Sequence, residues 1–183
     1  MIVRSIKLFS FLLLLLMAYG VYASFVRSET RAAAPRLRPA AERADEIVIL
    51  KGERRMILFR QGQEMKRYSI RLGSSPTGPK QQEGDGKTPE GRYLINRRNG
   101  ASQFHLSLGI TYPTAHQRRE ARARGVSPGG DIFIHGQPNA WGRLNLPISI
   151  PFDWTAGCIA VSDNDIEDVF SRVAIGTSVT IKP

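Results

Sequence analysis

A single thiol and one well-placed imidazole are the groups of this chain best suited to covalent chemistry. The run Asp131-Ile132-Phe133-Ile134-His135-Gly136 is apolar and β-branched and ends in an imidazole. Asp153-Trp154-Thr155-Ala156-Gly157-Cys158-Ile159-Ala160-Val161 places a glycine-preceded thiol at the opening of a second apolar run, so both reactive groups fall at strand edges. A Cys with a candidate His elsewhere in the chain is the footprint of a thiol nucleophile and its base, which only folding brings together. Alone, the pairing carries little weight, because a cysteine in an apolar strand is most often a small buried hydrophobe. The chain has only this one Cys, which rules out an internal disulfide. In an oxidising compartment the retention of an unpaired thiol is easier to understand if it does chemistry. The three His and the Cys show no ligand-pair spacing, so no metal and no other cofactor is expected.

The N-terminus sets that compartment. Arg4 and Lys7 precede an apolar run from Leu8 to Tyr22, and Val21-Tyr22-Ala23 offers short residues where a signal peptidase reads. Residues 1–23 therefore read as an export signal. The run approaches the roughly 18–20 residues that cross a bilayer, which makes an uncleaved membrane anchor the alternative. Either way the body faces the periplasm or cell envelope. Residues 24–45, rich in Ala, Arg and Pro, read as a flexible tether, and 46–183 as one folded domain.

Net charge is +10, unevenly spread: residues 51–100 hold 12 basic and 5 acidic side chains, whereas 151–183 hold 2 basic and 5 acidic. Export and the lack of aromatics interleaved with the basic residues argue against a nucleic-acid partner. A solvated face or attraction to an anionic wall polymer remains.

The elements that must carry the two groups follow in order. Glu46–Leu50 and Arg55–Arg60 read as strands about a Lys51-Gly52-Glu53 turn, and Met65–Leu72 alternates as a third, giving three antiparallel strands. Residues 73–86 form a loop leading through Gly84-Asp85-Gly86-Lys87-Thr88-Pro89-Glu90-Gly91 to a strand at Tyr93–Asn96. Gln103–Ile110 reads as an alternating strand, with His105 a packed or surface histidine before it is a substrate contact. Thr114 to Gly125 is a capped helix dotted with Arg118, Arg119, Arg122 and Arg124. Asn139–Trp154 is a long loop, too aromatic for a linker, that folds over the site. Ser162 caps a core-facing helix over Asp163–Val173, and Gly176–Lys182 supplies the last strand.

Residues 46–183 resemble the L,D-transpeptidase (YkuD-type) catalytic domain of bacterial cell-wall enzymes. The family pattern is a strand ending His-Gly, a loop, then Ser or Thr, His, Gly, Cys and an apolar residue. It maps onto His135-Gly136, Thr155, Gly157, Cys158 and Ile159; the Asp85–Gly91 segment and the Gly176–Ile181 strand are also similar. Two positions depart: Ala156 stands for the usual His before the Gly, and Ala160 for an Arg or Asn two residues after the Cys.

The resemblance implies a β-rich α+β fold, a mixed β-sandwich with a few short helices. It also implies that Cys158 is the nucleophile and His135 its base, the Gly136 carbonyl fixing the His tautomer. An imidazolium beside the sulfur would depress the thiol pKa. Thr155, Gly157 and nearby backbone N–H groups would orient the site or stabilise the oxyanion, and Trp154, Arg143 and His105 would contact substrate, a carboxylate being met by Arg143 or a basic loop residue. The implied substrate is the stem peptide of peptidoglycan, and a thioester at Cys158 would pass to an amine, for cross-linking or protein attachment. Water as acceptor, making a peptidase, is the alternative, and a catalytically dead wall-binding module a further one. Carbapenem-type inhibitors, with a strained acyl group, are expected to acylate the sulfur.

Overall fold

The computed structural model describes residues 13–22, 33–139 and 150–183. The chain divides into two compact units, 1–33 and 34–183. In the first, residues 13–22 form a helix, α1, with exposed leucines. No helix among the described residues is long and apolar enough to cross a membrane. Residues 1–12 and 23, on which much of the export reading falls, lie outside the described residues.

The second unit is built on one curled, mixed sheet of eight strands in the order β3-β2-β1-β8-β4-β5-β6-β7. Its first three strands, β1 (Ala44–Leu50), β2 (Arg55–Arg60) and β3 (Gln63–Ser69), form the antiparallel meander the alternation predicts. Arg60 pairs with Gln63, so Gln61-Gly62 is a two-residue hairpin loop. Both residues have positive φ, 50° and 75°, the left-handed twist that a type I′ turn needs and that glycine adopts freely. The C-terminal strand β8 (Val173–Lys182) is inserted beside β1 in parallel and pairs on its other edge with β4 (Gly91–Ser102).

β4 runs well beyond the expected Tyr93–Asn96. Its first half, Gly91–Leu94, pairs with β8, and its second half, from Ile95, pairs with β5 (His105–Ile110) across a register shift. Partner strands satisfy the backbone of the polar stretch Arg97-Arg98-Asn99, so it stays extended despite lacking an apolar alternation. The same curl covers β5 on both faces. Leu106 to Ile110 are all buried, which replaces the expected alternation.

β6 (Phe133–His135) pairs antiparallel with β5 and parallel with the two-residue β7 (Ile159–Ala160). The sheet then turns back towards its beginning, because Arg71, just past β3, exchanges two backbone hydrogen bonds of 2.8 Å with Ala160.

Among the described residues, two longer helices flank this sheet. α2 (Ala115–Ala123) begins at a Thr114–Gln117 capping box and buries only Ala121. α3 (Asp163–Arg172) is capped by Ser162, carries Asp163 and Asp165 at its positive end, and buries Ile166, Val169 and Phe170 in the core. There they join Ile47, Ile49, Leu58, Leu108, Ile134 and Ile159, each fully buried and worth on the order of 2 kcal/mol in apolar transfer.

Residues 34–43, assigned by composition to the tether, belong to this unit. The Arg38 N–H donates to the Ser171 carbonyl at 2.8 Å, and its guanidinium reaches Asp168 at 3.2 Å. Asp168 also accepts from Lys66, Tyr68 and Arg172 at 2.8–2.9 Å. Burial alone would raise its carboxyl, but these donors hold it at about 2.

Candidate active site

β6 and β7 bring the two reactive groups together. Their parallel register sets Ile134 beside Ile159 and His135 beside Ala160. Successive residues of a strand face opposite sides, so Ile134 and Ile159 enter the core while His135 and Ala160 share the opposite face. Cys158, two residues before Ala160, has the same parity. The Phe133 N–H donates to its sulfur at 3.4 Å, and the thiol donates to the Asp131 carbonyl at 3.5 Å. The register thus puts the imidazole and the thiol at adjacent strands, and the partners of the sulfur among the described residues are the backbone groups of Phe133 and Asp131.

His135 is 3% exposed. Its Nδ1 lies 2.7 Å from the Gly136 carbonyl oxygen. A carbonyl can only accept, so Nδ1 carries the proton and Nε2 is left as the basic nitrogen. Phe104 lies against one side of the imidazole, with centroids 4.5 Å apart and planes tilted 34°, and Trp154 meets it edge-on at 5.7 Å and 69°. Phe104 and Trp154 also touch each other at 5.9 Å. Sequence reasoning singled out Trp154 but missed Phe104, whose neighbour His105 drew the attention; an aromatic in a hairpin turn carries no signal of what it will pack against. The indole Nε1–H of Trp154 is buried and has no acceptor among the described residues.

Burial dominates the ionisation of both groups. It pushes the His135 imidazole below its ordinary value, partly offset by the Gly136 carbonyl. It pushes the Cys158 thiol up, opposed by the Phe133 N–H and by the charge of Lys80 but reinforced by Asp131. Both shifts favour the neutral forms, thiol and imidazole, over the imidazolium–thiolate pair.

The turn before the cysteine is shaped by its neighbours. Gly157 adopts φ 127°, and a Cβ there would sit 2.5 Å from the Lys87 carbonyl oxygen, so neither the backbone nor the space admits a side chain. Its N–H donates to Thr155 Oγ1 at 3.1 Å, and that hydroxyl donates to the Cys158 carbonyl at 2.7 Å. Thr155 thus fixes the turn. It also occupies the Gly157 N–H, which was one of the expected oxyanion donors.

The Asp85–Gly91 segment forms the floor under this turn. Asp85 accepts from the Lys80 ammonium at 2.8 Å and from the backbone N–H groups of Gln81, Gln82 and Lys87 at 2.8–3.1 Å. Burial would raise its carboxyl, but these donors hold it at about 2. Thr88 accepts from the Gly73 N–H at 3.1 Å, and the buried Lys51 ammonium binds the Gly78 and Thr88 carbonyls and Glu90 at 2.6–3.0 Å.

Of the expected substrate contacts, Trp154 lies against the base. His105 sits behind it: its Nε2 is 2.8 Å from Glu167 on α3, and its Cβ lines the tight space at Gly136. Arg143 and Trp141 lie outside the described residues. Among the described residues no cluster of His, Cys, Asp or Glu could hold a metal ion.

A model of the L,D-transpeptidase (YkuD) catalytic domain matches residues 44–181. YafK of Escherichia coli strain K12, provisionally assigned as an L,D-transpeptidase, is 32% identical over 133 residues, which covers 69% of this chain and 46% of that one. Among solved structures, the helical cell shape determining protein Pgp2 of Campylobacter jejuni is similar over 87% of this chain and 54% of its own, at 24% identity and a TM-score of 0.57. Bd1075 of Bdellovibrio bacteriovorus is similar over 83% and 52%, at 21% identity and a TM-score of 0.53. These two structures share the fold, and the chain spans about half the length of the curated relative, 46%. With the domain match running across β1 to β8, the chain belongs to the L,D-transpeptidase (YkuD-type) catalytic domain family.

Proposed function

We propose that this domain is a cysteine-dependent acyltransferase acting on peptidoglycan stem peptides. The observation that supports the reading is the in-register pairing of β6 with β7, which sets His135, its proton fixed on Nδ1, beside Ala160, two residues past Cys158. Nε2 of His135 takes the thiol proton as the sulfur attacks the carbonyl of the residue before the terminal D-alanine. The carbon–nitrogen bond breaks, the imidazolium returns the proton to the leaving amine, and a thioester at Cys158 remains. Starting from two neutral groups, the charge pair exists only during attack, in a site where burial strengthens its mutual attraction.

The acceptor that then takes the acyl group is an amine. Trp154 and Phe104 shield the face of the base from bulk water, which favours a bound amine over hydrolysis. The export reading of residues 1–23 places this reaction in the cell envelope, and carbapenems are expected to acylate the same sulfur. Incubating the protein with disaccharide tetrapeptide and resolving products by mass tests the acceptor: a dimer or D-amino-acid exchange product is expected. Tripeptide alone, with added amine never incorporated, would assign water as the acceptor.

A further inference from the structure

We propose that Arg71 holds a carboxylate of the acyl donor, beside the short side chain of Ala160; this rests on the stem-peptide reading of the site. The backbone exchange between Arg71 and Ala160 and the register of Ala160 with His135 put the three residues in one row across adjacent strands. Residues in register across neighbouring strands share a face, and two strand spacings separate the ends of the row by about 10 Å. In that row the residue between the base and the arginine is Ala160, which contributes only a methyl group.

The guanidinium is on the site face. Its Nε donates to the Ile150 carbonyl at 3.2 Å, and the Ile150 N–H in turn lies 3.4 Å from Oε1 of Gln137, two residues past His135. Nη1 donates to the Ile70 carbonyl at 2.8 Å. These bonds fix the side chain while leaving, among the described residues, the Nη2 amino group unbonded, so part of the planar fork that matches a carboxylate is still open.

No carboxylate already claims it. Arg38, Arg54, Arg97 and Arg172 each have an acidic partner, whereas Arg71 has none among the described residues. The nearby Asp153 is committed to Arg54 and to the Leu72 N–H, and residues 140–149, which lead to Ile150, contain no Asp or Glu. A half-buried cation held in place without a counter-charge, one strand from Ala160, is an anion subsite by its chemistry. In a stem tetrapeptide that anion is either the terminal D-alanine carboxylate or the side-chain carboxylate of diaminopimelate.

Binding measured by calorimetry in the full chain bearing Cys158→Ala, which removes turnover, separates the cases. Three ligands are compared: disaccharide tetrapeptide, its C-terminal amide, and the form amidated on the diaminopimelate carboxylate. With Arg71 present, one amide should bind about ten- to a hundredfold more weakly than the acid, which identifies the carboxylate. Arg71→Met should bind the acid as weakly as that amide and lose nothing further on amidation. An Arg71→Met protein that weakens all three ligands equally, or none, overturns the subsite, as does a parent protein that binds acid and amides alike. Should Arg71→Met fail to fold, Arg71→Lys, which keeps the charge without the fork, is read the same way: discrimination should fall, and unchanged discrimination overturns the proposal. If the parent binds none of the three, the stem-peptide reading itself fails, an outcome distinct from loss of discrimination alone.

Discussion

At Cys158 burial is the largest influence on the thiol and pushes it up, and at His135 burial pushes the imidazole down. Iodoacetamide labelling of the free protein should therefore rise with a midpoint above the ordinary cysteine value of about 8.5, and a midpoint below 7 would show a resting ion pair instead. For His135 the sign is that of a base kept neutral. The folded protein binds its proton only at lower pH than the unfolded chain, so its contribution to stability is complete above the unfolded value, about 6.5, and is lost as pH falls towards the folded one. The acidic limb of kcat/KM should fall below about 6.5 for the same reason, as a pH–rate profile of the free enzyme can show. Cys158→Ala and His135→Ala should each reduce turnover by about a thousandfold or more while leaving the melting temperature within a few degrees, because both act on one transfer step.

At the scale of elements, the floor loop and the cysteine turn are one mechanical unit. Asp85→Asn leaves the Lys80 ammonium, its side chain 3% exposed, without its counter-charge, and should cost about 3 kcal/mol in denaturant unfolding. Acid should reach the same bond: with Asp85 and Asp168 held at about 2 in the fold, their stabilisation is complete above an unfolded value of about 4 and drains away between pH 4 and 2. Gly157→Ala meets the Lys87 carbonyl at 2.5 Å and an unfavourable φ, so it should lose activity and at least about 2 kcal/mol of stability.

Alternating runs, caps and turn residues made β1 to β3, α2, α3 and β8 legible in the sequence, because those signals are local. The length of β4 was not legible, since its polar half is held by partners distant in sequence. Nor was the floor role of Asp85: its Gly- and Pro-rich surroundings read equally well as a plain turn. His135 and Cys158 were singled out from their types and order and Thr155 from the family resemblance, whereas the places of Phe104 and Arg71 depend on neighbours that only the closed sheet supplies.

The whole molecule couples this domain to a basic surface and an apolar N-terminal run. Fractionation of the expressed protein with N-terminal sequencing should find it either starting at Ser24 or in the membrane fraction, and an intact Met1 in the cytoplasm would contradict the export reading. The sheet curls so that β7, added last to its edge, meets the chain leaving β3, and the reactive face forms where those two ends close. In the proposed function, all of that arrangement serves one covalent event, attack by Cys158 with His135 as base. Intact-protein mass spectrometry of the chain quenched during turnover of disaccharide tetrapeptide tests it most directly. The predicted result is a single adduct equal to the donor minus D-alanine, mapped to Cys158 and absent from Cys158→Ala; product formation by Cys158→Ala at the parent rate would contradict it.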